Sequence, residues 1–510
     1  MKEALLQHAR RIATLTDTRL QLTIPSVLAE GEAFDLRLSC MGPDALPRND
    51  FGNRLVFQDC IGVEGLPEAI ALQPSDNGMY TIAGLVATGP EIVLIRARVE
   101  GTGMHGGDPV IESNPAWVFV DPPYRIYWGD IHVHTTLSNC WPWSCKDPEL
   151  CYEYARDVTH LDFAAAADHL RGIASEDGRW QRLQQLVDNY DVPGGFVPLL
   201  AFESSHAKGY GGDNNVYFRD KQAPYFWPDR DDMRGYAPKV HLEELWRWLD
   251  SLQQPYMTVP HHTARVSKNR TFDEHYYCEE REPLFEIYSG WGSSETLPPN
   301  GFPLAGGNSE EQAYFTDAIR RGCRYGVIAS SDDHSTLPGA QHRHRGTPLG
   351  LKTLTGTHHQ GLAAVRAAEL TRDSLWDAMR ARHTYATTLT RTLVDMRLGD
   401  ATMGDAVRVS ARDRLRAMRR IELDLTVVRG REGRATVDLM RNGERIATRD
   451  ITADTSAPGK TTVVFEDSEP LDQVAIRGAQ HHPQPFAAYY ARVQTGDMFT
   501  QWTSPIWLDL

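Results

Sequence analysis

The chain has 510 residues, too many for a single hydrophobic core, and this length predicts two to four domains. Charged residues at 24% and hydrophobic residues at 41% are typical of globular proteins, and no run of about 18 apolar residues predicts a membrane span. The net charge of -15 disfavours a nucleic-acid backbone as the main partner, because an overall excess of phosphate-binding cations is missing.

The N-terminal sequence MKEALLQHARRIATLT carries scattered charges and lacks the apolar segment of a secretory signal, which favours a cytoplasmic protein. The seven cysteines are odd in number and scattered, which indicates reduced thiols. We therefore expect a small-molecule substrate and no membrane association, and a homo-oligomer is compatible with these features.

Residues 1–122 are predicted to form a β-sandwich-like domain. Short alternating segments such as FDLRLSC, GMYTIAGLV and EIVLIRARVE are separated by Gly, Pro, Asn and Asp turns, which is typical of antiparallel sandwiches. This region shows no cluster of catalytic residue types, so we expect the chemistry to lie further along the chain.

Residues 123–388 change to alternating strands and helices. Strand-like segments such as LDFAAAADH, PYMTVPHH and YGVIASSDDH alternate with amphipathic segments such as RWQRLQQLVDNY and HLEELWRWLDSL. This alternation predicts an α/β fold with a parallel barrel, whose site forms at the carboxyl ends of the strands.

The segment YWGDIHVHT is predicted to be a strand that ends in a His-x-His pair. Alternation along a strand places His132 and His134 on one face, where they could bind a metal ion, and Asp130 could orient one ring. Most of the other predicted strands also end in potential ligands, namely Asp168, His169, Glu203, Asp213, His261, His262, Asp332 and His334. This recurrence favours a metal site over histidines that only fill a core.

The residue types indicate a multinuclear hydrolytic site. Carboxylates combined with imidazoles suit Zn, Mn or Fe, and a bridging carboxylate such as Glu203 would allow two ions about 3.5–4 Å apart. Six cationic residues near the predicted rim could bind the rest of an anionic substrate, namely Lys208, Arg265, Lys268, Arg270, Arg343 and Arg345.

The ordered motifs HxH, DH, FE, PHH and SDxH resemble those of the PHP superfamily, named for polymerase and histidinol phosphatase domains. The segments ARHTYATT and WTSPIWL resemble a branch of that superfamily with β-rich flanks. The resemblance covers roughly residues 124–510. It implies a metal-dependent phosphoesterase on a distorted seven-stranded, PHP-type (β/α)7 barrel with N- and C-terminal β-sandwich-like domains.

The resemblance also implies two or three divalent ions. His132, His134, Glu203 and Asp332 would hold the first ion. Glu203 would bridge to a second ion, completed by His261 and a group from the fourth strand, and His169 and His334 would hold a third. We prefer His261 to His262 as the ligand because it aligns with the histidine of the superfamily's His-Pro motif.

Two positions depart from the resembled pattern. Asp213, in GDNNV, stands where relatives tend to have histidine, so a carboxylate would complete the second ion site. Cys140, in LSNC, stands where relatives place another ligand. A thiolate there could bind Zn or Fe, or Cys140 could be a buried bystander while the third site is empty.

The expected reaction is hydrolysis by a hydroxide that bridges two ions, with Asp332 accepting the water proton and His262 or His334 protonating the leaving oxygen. A phosphomonoester or phosphodiester of a small molecule is favoured as the substrate. Amide or lactone hydrolysis at the same metal site is the first alternative, and a non-catalytic binding protein is the second. The shared ligands cannot separate phosphorus from carbon chemistry.

Residues 389–510 return to a β pattern and are predicted to form a second sandwich-like domain. Segments such as RIELDLTVVR and KTTVVFED alternate, and MRNGER carries the Asn-Gly signal of a β-hairpin. We expect these strands to pack beside the barrel without chemistry of their own.

Overall fold

The structure is a computed structural model. It describes residues 19–42, 45–48, 52–89, 91–101, 109–138, 145–170, 178–225, 239–273, 275–310, 312–340, 358–410, 418–426, 434–452, 459–495 and 499–510. Contacts divide the chain into two compact units, one of Met1–Ile126 with Arg156–His160 and the other of Tyr127–Ala155 with Leu161–Leu510. The division into domains at 1–122, 123–388 and 389–510 stays a prediction.

The first unit is built from strands, with a single-turn 3-10 helix at Pro74–Asp76, in the residues that the structure describes. Its strands are β1 Arg19–Thr23, β2 Val27–Ala29, β3 Ala33–Met41, β4 Arg54–Phe57, β5 Val63–Glu64, β6 Ala69–Ala71, β7 Met79–Ala87, β8 Glu91–Val93, β9 Arg96–Glu100, β10 Val110–Glu112 and β11 Ala116–Phe119. They form three sheets in the orders β1-β3-β7-β5, β10-β9-β4-β6 and β2-β11-β8. Alternate residues such as Phe34, Leu36 and Leu38 point into one apolar core.

The middle of the chain contains eleven strands and five α-helices within the described residues. The strands are β12 Arg125–Val133, β13 Phe163–Ala166, β14 Val197–Pro198, β15 Leu200–Ser205, β16 Asp213–Phe218, β17 Tyr256–His261, β18 Leu284–Ser289, β19 Gly292–Ser293, β20 Gly326–Ala329, β21 Leu362–Ala367 and β22 Thr384–Thr387. The helices are α1 Pro148–Glu153, which continues as a π-helical turn at Tyr154–Val158, α2 Arg179–Tyr190, α3 Leu242–Ser251, α4 Phe315–Arg320 and α5 Arg372–Arg380.

The helix boundaries follow local chemistry. Asp147 caps α1 by accepting a hydrogen bond from the backbone N–H of Glu149, and Pro148 occupies the first turn. Thr371 caps α5 in the same way through the N–H of Ser374. None of the helices in the described part of the chain is long and apolar enough to cross a membrane.

The C-terminal part consists mainly of long strands. These are β23 Leu393–Leu398, β24 Ala401–Thr402, β25 Ala406–Arg408, β26 Arg419–Thr426, β27 Arg434–Arg441, β28 Glu444–Thr452, β29 Thr461–Asp467, β30 Phe486–Thr495, β31 Phe499–Thr503 and β32 Ile506–Asp509, with the short helix α6 at Leu471–Val474. Asn442 and Gly443, with φ of 56° and 81°, join β27 to β28. The predicted Asn-Gly hairpin is therefore confirmed.

The predicted α/β barrel is wrong. Strands make up 43% and helices 13% of the residues that the structure describes, so this part of the chain is mainly β. The strands assigned to the barrel belong to separate sheets: β12, β13 and β14 are parallel, β15, β16 and β17 are antiparallel, and β18 pairs with β19 and β20. Residues 206–212, which join β15 to β16, are too few for the crossover helix that a parallel pair requires.

The strand that ends in the His-x-His pair belongs to an eleven-stranded sheet that also contains the C-terminal strands. Its order is β14-β13-β12-β21-β22-β31-β30-β27-β28, and β32 pairs with both β30 and β25. The C-terminal strands therefore extend the sheet that carries part of the candidate site.

An apolar core lies along the same faces as the candidate site residues. In β15, Ala201 precedes Glu203 by two positions, and in β17 Val259 precedes His261 by two. Alternation places each pair on one face, and both Ala201 and Val259 lie in the buried core. These strands carry apolar residues into the core and polar residues to their ends.

Candidate metal centre

The end of β12 is fastened to the segment that carries Asp332. The N–H of His134 donates to the carbonyl of Asp333 at 2.8 Å. This contact brings Asp332 Oδ1 to 3.0 Å from His134 Nε2 and 3.4 Å from His132 Nε2. The three side chains are buried and form one group that could hold a metal ion.

Glu203, in the second half of β15, lies close to further histidines of the cluster. Its Oε1 lies 3.0 Å from His261 Nε2, and its Oε2 lies 3.0 Å from His169 Nε2 and 3.4 Å from His134 Nε2. Two further groups that could hold a metal result, one of His132, Glu203 and His261 and one of His134, His169 and Glu203.

Hydrogen bonds behind His132 in β12 and His134, which directly follows β12, fix the tautomers of the two rings. His132 Nδ1 lies 3.0 Å from the Glu286 carboxylate, so it carries the proton and donates it. His134 Nδ1 lies 2.9 Å from the Ser138 hydroxyl, which gives its own hydrogen to Asp168 at 2.7 Å and therefore accepts from the ring. In both rings Nε2 then faces the carboxylates, and a neutral ring can offer its lone pair to a metal ion.

This donor set fits a divalent cation. His132 Nε2 is buried and makes no hydrogen bond within the described residues, while the carboxylates of Asp332 and Glu203 lie 3.4 Å and 3.8 Å away. When the rings are neutral, nitrogen lone pairs and carboxylate oxygens that converge repel each other unless a proton or a cation lies between them. The buried clusters of His, Glu and Asp could therefore hold metal ions.

The three groups are not three independent sites. One imidazole nitrogen binds one ion, and His132 and His134 each belong to two of the groups. Glu203, in contrast, can present a different oxygen to each of two ions. The two groups that share only Glu203 could both be complete at once, and the group of His132, His134 and Asp332 excludes either of them.

The charged side chains in the cluster shift one another's pKa values. Burial alone would raise the pKa values of Asp332 and Glu203, but the surrounding histidines outweigh this effect and hold both pKa values well below the ordinary range. Burial alone would lower the pKa of His132, yet Asp332 and Glu286 hold it well above its usual value. Without a cation, the cluster keeps protons on histidine and negative charge on the carboxylates.

His262 and His334 surround Asp332 from the other side. His262 Nε2 donates to Asp332 Oδ2 at 2.7 Å, and His334 Nδ1 lies 3.0 Å from the backbone carbonyl of Asp332. The backbones of His262 and Asp332 are left-handed, with φ of 50° and 51°. Such conformations cost about 1–3 kcal/mol each and cluster at functional sites.

Asp130 does not orient a histidine ring, contrary to the sequence-based hypothesis. Its carboxylate accepts backbone N–H groups of Ser331 at 3.0 Å and Gly339 at 3.2 Å, and so fixes the segment around Asp332. Burial raises the pKa of Asp130 to about 7. Glu286, in the middle of β18, contacts the His132 ring instead.

Two of the predicted ligands in the described residues, Asp213 and His334, belong to none of the metal-binding groups. Asp213 lies at the edge of the cluster, but its carboxylate is paired with Lys268 at 2.9 Å. Cys140 lies outside the described residues. The other predicted ligands lie within the cluster, except that His334 contacts it through Asp332 and belongs to none of the three groups.

Among the four predicted rim cations that the structure describes, Lys268 is paired with Asp213 and Arg265 lies beside the candidate metal centre at an aromatic wall. Arg265 stacks over Trp291 at 4.4 Å, and the Trp291 ring lies 5.7 Å from His262. Arg270 is buried against Glu282, and Lys208 is exposed. Arg343 and Arg345 lie outside the described residues.

Sequence reasoning missed Ser138 and the role of Lys268. Ser138 follows the His-x-His pair by four residues, in the LSNC segment where only Cys140 was predicted as a potential ligand. A hydroxyl four residues after two potential ligands was the available signal. Lys268 had no local signal, because its partner Asp213 is distant in sequence and is reached only through the fold.

Part of the chain matches a known protein family. Residues 152–299 and 308–410 match the family DUF3604, described as a protein family of unknown function. The matched ranges contain Glu203, His261 and Asp332, whereas the His-x-His pair on β12 precedes them.

Comparison with curated proteins finds uncharacterized chlamydial proteins. One from Chlamydia pneumoniae is 25% identical over 511 residues, covering 96% of this chain and 74% of that protein. Another, from Chlamydia trachomatis, is 24% identical over 505 residues with the same coverage.

Among solved structures, this chain is similar to a two-domain protein from Bacteroides vulgatus that contains a predicted PHP-like metal-dependent phosphoesterase. The identity is 12%, the TM-score is 0.34, and the match covers 75% of this chain and 95% of that one. A TM-score this low carries no argument about fold or activity.

Proposed function

We propose that this protein is a metal-dependent hydrolase, with a phosphoester of a small molecule as the favoured substrate. One observation carries the proposal: the Nε2 lone pairs of His132 and His134 converge with the carboxylates of Asp332 and Glu203 in a buried cluster. Their outward-facing nitrogens are already bonded to Glu286 and Ser138, as is usual for histidine ligands.

Two ions bridged by Glu203 are the occupancy that best suits this arrangement. Oε1 of Glu203 faces His261, and Oε2 faces His169 and His134, so each oxygen has its own set of nitrogen partners. Mixed imidazole and carboxylate ligands suit Zn, Mn or Fe. Such ions, when bound, lower the pKa of water and neutralise charge on the group under attack.

The chain's own residues would position and exchange protons around this centre. Burial lowers the pKa of His262, although its bond to Asp332 opposes that effect, so the ring is neutral and donates Nε2–H to the carboxylate. His262 thereby fixes the orientation of Asp332, the group proposed to accept the water proton. His334, held through Nδ1 by the Asp332 carbonyl, is proposed to protonate the leaving oxygen through Nε2.

One cation beside the candidate site is suited to binding an anionic substrate. Arg265, beside His262 and stacked on Trp291, could hold a phosphate oxygen at the edge of the cluster. Hydrolysis at a carbon centre would use the same ligands, so a test of the proposal needs both phosphoester and carbon-centred substrates.

The proposal is tested by hydrolysis of chromogenic phosphomonoester, phosphodiester, carboxylic ester and anilide substrates after chelation, with Mn, Zn or no metal returned. We expect metal-dependent release from a phosphoester that His132→Ala abolishes and that the control His275→Ala, at an exposed histidine outside the cluster, leaves unchanged. Turnover of only the carbon substrates would reassign the substrate class. Equal activity with and without metal would refute the proposal.

A further inference from the structure

Arg265 is a cation beside the candidate metal centre that has no acidic partner in the described residues. The next two cations along the chain are both neutralised. Lys268 lies 2.9 Å from Asp213, and Arg270 lies 2.6 Å from Glu282. The guanidinium of Arg265, in contrast, makes no ion pair and no hydrogen bond within the part of the chain that the structure describes. Its N–H donors are therefore available to an anion that comes from outside the chain.

Trp291 fixes the direction in which this guanidinium points. The Cζ atom of Arg265 lies 4.4 Å from the centroid of the Trp291 ring, which is only 7% exposed. Stacking uses the face of the guanidinium and leaves the N–H groups along its edge free. The same ring lies 5.7 Å from the ring of His262 and 6.3 Å from that of His334. The stacked arginine is thus held next to the two histidines that surround Asp332.

The backbone of Arg265 is also held in place. Its N–H donates to the His262 carbonyl at 2.7 Å, and its carbonyl accepts from the N–H of Lys268 at 2.9 Å. A β-bridge joins Arg265 to Gly307 on the neighbouring segment. Because both the backbone and the ring plane are fixed, little conformational freedom remains to be lost when the guanidinium binds an anion.

We propose that Arg265 binds the third terminal oxygen of a phosphomonoester and thereby selects monoesters over diesters. This inference rests on the proposed function and chooses between two substrate classes that the function leaves open. A monoester has three terminal oxygens and a diester has two. Two ions bridged by Glu203 can face two terminal oxygens, so the third oxygen of a monoester is left for a donor outside the cluster. In a diester an esterified oxygen without a full charge stands there, and it is a weaker partner for arginine.

The first experiment compares two chromogenic esters, p-nitrophenyl phosphate and bis-p-nitrophenyl phosphate, with the Mn-loaded protein. We expect Arg265→Ala to lower kcat/KM for the monoester by about 10- to 100-fold and to leave the diester nearly unchanged. Arg382→Ala is the matched control, because Arg382 also stacks on a tryptophan, Trp507, at 5.3 Å and lies outside the cluster. It should change neither rate. An equal fall for both esters with Arg265→Ala would overturn the inference.

A binding measurement separates this inference from the proposed function. Phenylphosphonate has three terminal oxygens and its monomethyl ester has two, and isothermal titration calorimetry measures their affinity for the Mn-loaded protein without any turnover. We expect Arg265→Ala to weaken phenylphosphonate binding by about 10- to 100-fold and to leave the methyl ester unchanged. Arg265→Lys keeps the charge but not the planar fork, so its affinity should lie between those of wild type and Arg265→Ala.

The two experiments can fail separately. If the wild type hydrolyses neither ester, the proposed function fails, but a selective loss of phenylphosphonate affinity in the variants would still support the role of Arg265. If the wild type binds phenylphosphonate no better than its methyl ester, or if the folded Arg265 variants bind it as tightly as wild type, the inference is overturned.

Discussion

Removing the Glu286 carboxylate should weaken metal binding although Glu286 is not a proposed ligand. Its Oε2 lies 3.0 Å from His132 Nδ1, and both side chains are at most 1% exposed. Hydrogen bonds to a charged group are worth about 1.5–3 kcal/mol, and about 1.4 kcal/mol corresponds to a tenfold change in affinity. Glu286→Ala should therefore raise the metal Kd by roughly 10- to 100-fold.

Glu286→Gln separates the charge from the hydrogen bond. The amide oxygen can still accept from His132 Nδ1, but neutral hydrogen bonds contribute only about 0.5–1.5 kcal/mol, so we expect a smaller rise of roughly 3- to 10-fold. The assay is competition for Zn or Mn with a chromophoric chelator at fixed pH.

Glu295→Gln provides a matched control for the loss of a buried carboxylate. Glu295 bonds to Tyr490, Arg492 and Trp502 of the C-terminal strands and not to the cluster, so its substitution should lower the melting temperature without changing metal affinity. An unchanged Kd in Glu286→Ala would show that His132 is not a ligand or that Glu286 does not orient it.

The remaining predictions concern pH and Ser138. Histidine neighbours hold the pKa values of Asp332 and Glu203 low against the effect of burial, so their stabilisation is present above about pH 4.5 and lost as pH falls through those lowered values. Asp332 and Glu286 hold the pKa of His132 high although burial opposes them, so its stabilisation is complete below about pH 6.5 and lost as pH rises through the raised value. The metal-free protein should therefore have its highest melting temperature between these two pH values. Added Mn should raise the melting temperature more at about pH 8 than at about pH 6, because metal ligands must be unprotonated. An equal rise at both pH values, measured by calorimetry, would contradict the assignment of His132. Ser138→Ala removes the acceptor for His134 Nδ1, and the chelator assay should show about a tenfold loss of affinity, while unchanged binding would mean that the tautomer of His134 is fixed by another group.

Local sequence patterns predicted many elements but not how the strands pair. The amphipathic segment RWQRLQQLVDNY is the helix α2, and LFEIYSG contains β18. The prediction of a barrel was wrong because an alternation of strands and helices does not specify which strands pair with each other. The connection between β15 and β16 is short enough to reverse the chain, and that length, readable from the sequence, should have favoured an antiparallel pair.

The closeness of the predicted site residues in the structure does not require the predicted barrel. Residues at strand ends meet in space whether the strands run parallel or antiparallel, so the positions of His132, Glu203 and His261 did not depend on a barrel. Pairing between side chains that are distant in sequence could not be predicted from the sequence. Asp213 has the residue type of a ligand, and only the folded chain shows that its carboxylate is paired with Lys268.

The continuous sheet from β12 to β28 sets a limit on dissecting this protein by truncation. A chain ending at residue 388 would lose β31 and leave β22 as an edge, because Tyr385, Ala386 and Thr387 pair with Thr503, Trp502 and Gln501. Unpaired N–H and C=O groups along such an edge promote association between molecules. A shortened protein that aggregates would therefore say nothing about whether the C-terminal strands take part in chemistry, and single substitutions within the intact chain are the sounder approach.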